Sequence, residues 1–142
     1  MEGRTLAQVY ALALGATLVL VGIVGFFVAP SFSTGDAVDR GTLIVFDING
    51  WHNVVHLLSG VAGLALAGTA ARARTFCVGY GVVYVLVTIL GFIVGDGGTL
   101  LTLIPINTAD NFLHLVIALT GIGVGLASPP ATTTIAGAPR TA

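Results

Sequence analysis

The sequence predicts an all-α membrane protein, a bundle of four transmembrane helices built from two parallel helix-hairpin repeats. Three observations carry this. Apolar residues make up 56% of the chain and charged residues 8%, against about a quarter charged in a soluble domain. A soluble domain of 142 residues could not hide that much apolar surface. Uncharged stretches run Thr5–Gly35, Ile48–Ala71, Thr75–Gly95 and Asn111–Pro139, and crossing a hydrocarbon core ~30 Å thick takes about 20 apolar residues in a helix. Finally, the chain writes one polar phrase twice. Asn49, His52, Asn53, His56 and Leu57 are matched 58 residues later (107 − 49) by Asn107, Asp110, Asn111, His114 and Leu115.

The first helix is expected over about Leu6–Ala29. Its apolar run exceeds a typical signal core, so a retained anchor is expected rather than a cleaved peptide. The second is expected over Asn49–Ala71, where Asn49 is a good N-cap. The third is expected over Thr75–Val94. The fourth, Thr108–Ala127, has the shortest apolar run, so its first turn must hold polar residues. The segments are continuous and rich in Leu, Ala, Val and Gly, unlike the alternating strands of a membrane barrel. A four-helix transmembrane domain is therefore expected over residues 1–128, repeat one about 6–71 and repeat two about 75–127. Beyond Ser128, Pro129, Pro130, Gly137 and Pro139 stop the helix, and a disordered cytoplasmic tail is expected over 129–142.

Arg72 and Arg74 crowd the expected loop between the second and third helices, Arg4 precedes the first, and Arg140 lies in the tail. Asp36, Asp39, Asp47 and Asp96 sit in the other two connections with only Arg40 among them. The positive-inside rule puts both termini and the Arg72–Arg74 loop in the cytoplasm.

The duplication extends beyond the phrase. Leu20 to Val28 matches Leu86 to Val94 at an offset of 66 (91 − 25), and Gly41-Thr-Leu-Ile matches Gly98-Thr-Leu-Leu. Each unit holds two helices, so both insert the same way up, unlike the inverted repeats of many transporters. The Gly-Thr-Leu lead-ins are expected as short amphipathic or re-entrant pieces at the outer interface.

Asn49, His52, Asn53 and His56 share one helix face with Gly60, Gly63 and Ala67 below them. Asn107, Asp110, Asn111 and His114 share another with Ala118, Gly121 and Gly125. Small residues at this spacing let helices approach closely in lipid. The expectation is that the second and fourth helices pack together along these seams. Three readings of the polar cluster stay open. It locks the fold by capping and interhelical hydrogen bonds. Alternatively, His52, His56, Asp110 and His114 hold zinc or copper, with Asn53 and Asn111 orienting the rings, or His56 and His114 ligate haem b. Or the cluster is a small-molecule or proton site, with Trp51 and Phe112 as candidate pocket walls. The first reading, with no cofactor, leads.

Net charge is −1, and without a basic run nucleic acid is not an expected partner. The lone Cys77 excludes an intrachain disulfide. No nucleophile–base–orienter set and no phosphate loop stands at a recognisable spacing, so an enzyme is not expected. The expected partners are the lipid bilayer and, through glycine-rich faces, another copy or a second membrane protein.

With the lead-in Gly41 to Ile48, Asn49, the run His52-Asn53-Val-Val-His56-Leu57, then Gly60 and Gly63, the chain resembles a family of small four-helix bacterial membrane proteins. The family is common in actinobacteria and grouped as a domain of unknown function. Asp110-Asn111-x-x-His114-Leu115 fits its second half. Thr42 and Ile48 are mild departures. The resemblance covers roughly the first 127 residues and implies a bacterial plasma membrane. It brings no activity or ligand.

Overall fold

The computed structural model describes residues 3–35 and 38–128. The expected tail, with Arg140, and Asp36 lie outside the described residues. The chain is mostly helical. Its elements are α1 (Leu6–Val28), β1 (Gly41–Leu43), β2 (Phe46–Ile48), α2 (Gly50–Leu66), α3 (Ala70–Val94), β3 (Thr99–Leu100), β4 (Ile104–Pro105) and α4 (Thr108–Ala127). Among the described residues three helices, α1, α3 and α4, are long and apolar enough to cross a membrane.

Polar caps set the helix starts. Thr5 and Gln8 form a capping box on α1, which satisfies two N–H groups that would otherwise lack partners. Thr69 caps α3 by accepting from the Arg72 N–H. This cap corrects the expected boundaries: α2 stops at Leu66 and α3 begins at Ala70, not at Thr75. Arg72 and Arg74 therefore belong to the first turns of α3 rather than to a loop. They remain at the same end of the molecule.

The lead-ins are antiparallel hairpins, not amphipathic or re-entrant pieces. β1 pairs with β2 in the register Gly41↔Ile48, Thr42↔Asp47, Leu43↔Phe46. β3 pairs with β4 as Thr99↔Pro105, Leu100↔Ile104. Their turns hold Ile44, Leu101 and Thr102 at φ of 63°, 52° and 58°. Bulky and β-branched residues rarely adopt this region, which is why a hairpin was not evident from residue type.

The helices pack inside out relative to a soluble protein. The buried stripe of α1 is Ala7, Ala11, Gly15, Leu18, Gly22 and Gly25, whereas Leu20, Ile23 and Phe27 face outward. In α4, Ala118, Gly121 and Gly125 are buried and Val116, Leu119 and Leu126 are exposed. Dispersion between close backbones holds such helices in lipid, where apolar burial gives no drive.

The seams do not join α2 to α4, as expected from sequence; they close within each half. A Cβ added at Gly60 would lie 2.7 Å from the Gly15 carbonyl oxygen, and one at Gly63 would lie 3.2 Å from that of Ala11. One at Gly81 would lie 2.9 Å from the Ala118 oxygen, and one at Gly121 would lie 3.0 Å from that of Cys77. The reason is that α1 and α3 carry small residues at the same spacing and are tied by hairpins to α2 and α4. Most helical glycines are thus used internally; Gly79 and Gly123 face open space. At the end away from the hairpins, Ala7, Ala11, Ala67, Ala73, Phe76 and Cys77 form an apolar cluster. There the Gln8 amide donates to the Ala67 carbonyl (3.1 Å) and the Ser128 hydroxyl accepts from the Ala7 N–H (3.0 Å).

Candidate functional site

The polar residues of the doubled phrase gather under the two hairpins. Asn49 and Asn107 cap α2 and α4, accepting from the His52 N–H and the Asp110 N–H at 3.0 Å each. Each does a second thing with its amide. Asn49 Nδ2 donates to the Leu103 carbonyl in the turn of the other hairpin (2.7 Å), and Asn107 Nδ2 donates to the Val45 carbonyl (2.8 Å). Val45 and Leu103 are themselves 58 apart, so the two bonds are reciprocal. Asn49 is fully buried, where an unpaired amide is costly, whereas the Asn107 bond lies at the exposed surface; in both, a hairpin turn meets the other half's cap.

The next position differs between halves. Asp110 Oδ2 accepts from the Asn107 N–H (3.0 Å) and from the Asp47 N–H (3.1 Å). The residue 58 after Asp47 is Pro105, which has no N–H. A carboxylate at position 52 would lack that donor. His52 stands there instead, with Nδ1 3.0 Å from the Asp47 carbonyl. A carbonyl only accepts, so Nδ1 carries the proton and Nε2 keeps its lone pair.

His56 and His114 lie one turn deeper. The His52 ring centroid is 4.4 Å from that of His56 and 6.3 Å from that of His114. Tyr84 of α3 meets His114 edge-on at 5.1 Å, and its hydroxyl accepts from that of Tyr80 at 2.7 Å. Nδ1 of His56 and Nδ1 of His114 are buried without a hydrogen-bond partner. One ligand atom each from His52, Asp110 and His114 lies within 4.8 Å of the others, and all three residues are buried. These three are brought together; His56 stands beside them. A cavity of about 210 Å³ adjoins His56, Asp110 and His114, and Leu14, Leu18, Val21, Leu43, Phe46 and Leu113 are among its apolar walls.

Asn53 and Asn111 do not face the imidazoles. Asn53 Nδ2 donates to the Ala29 carbonyl (3.0 Å). Its Oδ1, like Asn111 Oδ1, is buried without a conventional donor. Each oxygen sits where a Cβ of Gly25 or Gly91 would be, so it faces the glycine Cα–H, a weak hydrogen-bond contact. Trp51 packs on Phe32 at 5.0 Å and Phe112 on Phe92 at 5.6 Å; neither lines the cavity.

Sequence reading missed Asp47, Pro105 and Tyr84. The first two could have been found by carrying the 58-residue offset into the lead-ins. At the rim, Arg40 Nη1 meets Asp47 Oδ2 (3.3 Å) and donates to the Gly97 carbonyl (2.6 Å). Asp96 accepts from the Thr108 N–H (2.8 Å) and hydroxyl (2.9 Å), which hold its carboxyl below the usual range.

The model of the family described as "Domain of unknown function (DUF4383)" matches residues 8–127. That is most of the 142 residues, and the chain belongs to this family. No curated protein and no solved structure matches the chain.

Proposed function

We propose that this member of the DUF4383 family is a structural or accessory multi-pass protein of the bacterial plasma membrane, without catalytic chemistry of its own. Its four helices span the bilayer as two parallel repeats, with both termini cytoplasmic. Both hairpins then face outward, and the doubled polar phrase locks the halves together at that end. The order helix, hairpin, helix in residues 6–66 and again in 70–127 supports the repeat. At 17 residues α2 is short, but at ~1.5 Å per residue it is about 25 Å long, within reach of a span. Arg72 and Arg74 at one end, with Asp39, Asp47 and Asp96 at the other, support the orientation.

The observation that carries the lock is the reciprocal pair of amide bonds, Asn49 to Leu103 and Asn107 to Val45. Serine also caps helices well, but its hydroxyl is too short to reach across. Asn49→Ser and Asn107→Ser therefore isolate the crossing bond from the cap. Each is expected to lower unfolding free energy in detergent by about 1 kcal/mol. The double variant should depart from additivity, because both bonds hold one hairpin pair together. Unchanged stability in the double variant would contradict the lock. The packed imidazoles favour this reading over haem: with His52 wedged against His56, a porphyrin would have to part side chains in ring contact.

A further inference from the structure

We propose that His52, Asp110 and His114 form a binding site for one divalent first-row metal ion of the zinc class, its fourth position opening on the adjoining apolar cavity. This goes beyond the structural reading above and does not depend on it. The donors come from two helices, α2 and α4, and among the described residues no hydrogen bond joins these helices directly. Their ligand atoms converge within 4.8 Å although each residue is buried.

The surroundings leave each donor free in the manner metal sites require. His52 donates Nδ1–H to the Asp47 carbonyl, the arrangement that fixes a ligating histidine's tautomer and makes its other nitrogen basic. The backbone donors to Asp110 both fall on Oδ2, which orients the carboxylate and leaves Oδ1 to ligate. His114 is held edge-on by Tyr84, while its Nδ1 is buried and unpartnered. His56 Nδ1 is buried and unpartnered as well, but it is His114 that has a ligand atom within 4.8 Å of those of His52 and Asp110.

Two imidazoles and one carboxylate suit zinc, cobalt or copper, whereas calcium and magnesium prefer oxygen shells. Ligand atoms around tetrahedral zinc stand about 3.3 Å apart, given bonds of about 2.0–2.1 Å. Closing from 4.8 Å is a side-chain movement shared among three residues. Three protein ligands leave a position for an exogenous group. The cavity lies beside it because Leu18 occupies the register position where the other half has Tyr84 (84 − 66 = 18), and leucine reaches less far than tyrosine.

The test uses tag-free full-length protein in detergent, stripped with a chelator and titrated with Zn²⁺ and separately with Co²⁺. The expected result is one ion per chain, a higher melting temperature on binding, and the intense visible bands of four-coordinate Co²⁺. His52→Ala, His114→Ala and Asp110→Asn should each weaken binding at least about tenfold, while His56→Ala retains it. Asp110→Asn keeps an oxygen for the two backbone N–H groups, so loss of metal there is not loss of fold. Absence of stoichiometric binding by folded wild-type protein would overturn the proposal. So would binding that survives all three ligand substitutions.

Discussion

Replacing His52 with aspartate is expected to destabilise the protein by roughly 3 kcal/mol, the scale of an uncompensated buried charge, although position 110 carries aspartate. At 110 the carboxylate is stabilised by two backbone N–H donors, those of Asn107 and Asp47. At 52 the donor matching Asp47 would be Pro105, which has none, and the Asp47 carbonyl that now accepts from His52 would face a carboxylate. Two acceptors would meet in a buried site with no proton between them. The signature is rescue: Pro105→Ala restores an N–H at that position and should recover about 1–2 kcal/mol in the His52→Asp background. In the wild-type background the restored N–H has no buried carboxylate to compensate, since His52 Nδ1 already donates to the Asp47 carbonyl, and no such gain is expected. Unfolding of the four proteins in detergent measures the coupling. If His52→Asp is as stable as wild type, or if Pro105→Ala has the same effect in both backgrounds, the account of this asymmetry is wrong.

Gly25→Ala and Gly91→Ala should each cost about 2–3 kcal/mol, at the upper end of overpacking. An added methyl would land on Asn53 Oδ1 or Asn111 Oδ1. Neither asparagine can swing aside freely, since both are fully buried or nearly so and Asn53 also holds the Ala29 carbonyl. Gly79→Ala and Gly123→Ala are the controls. Their Cβ atoms would meet nothing within 4 Å, so these changes should be neutral or stabilising by up to about 1 kcal/mol, from helix propensity. Asn53→Ala should relieve much of the Gly25→Ala penalty, because the clash is with that side chain. Thermal unfolding that ranks all four glycine substitutions alike would contradict this packing.

Much of the architecture was legible in the residues. Composition and run length locate α1 and α4 closely, because a membrane span is set by apolar length and each start has a polar cap. The start of α3 was not legible: two arginines in close succession resemble a loop, yet Thr69 caps ahead of them and carries them into the helix. The hairpins were hidden because their turns use Ile44, Leu101 and Thr102 where glycine or asparagine would signal a turn. The small-residue seams were visible but their partners were not, since α1, α2, α3 and α4 all carry such stripes and spacing alone cannot pair them. At the site, the mismatch of His52 with Asp110 was plain in the sequence. Its cause lies five residues from each, in Asp47 against Pro105, and becomes physical only once the hairpins cross.

The central claim is that both hairpins emerge on the same, outer side of the membrane and meet there. Single cysteines at Ile44 and Leu101, the exposed hairpin tips, and at Gly68, between α2 and α3, test it in intact cells with a membrane-impermeant maleimide. Native Cys77 is fully buried and provides the unlabelled baseline. The expected result is labelling at 44 and 101, with 68 reacting only after the cells are opened. Labelling of one tip without the other, or of 68 in intact cells, would contradict two parallel repeats joined at their outer ends.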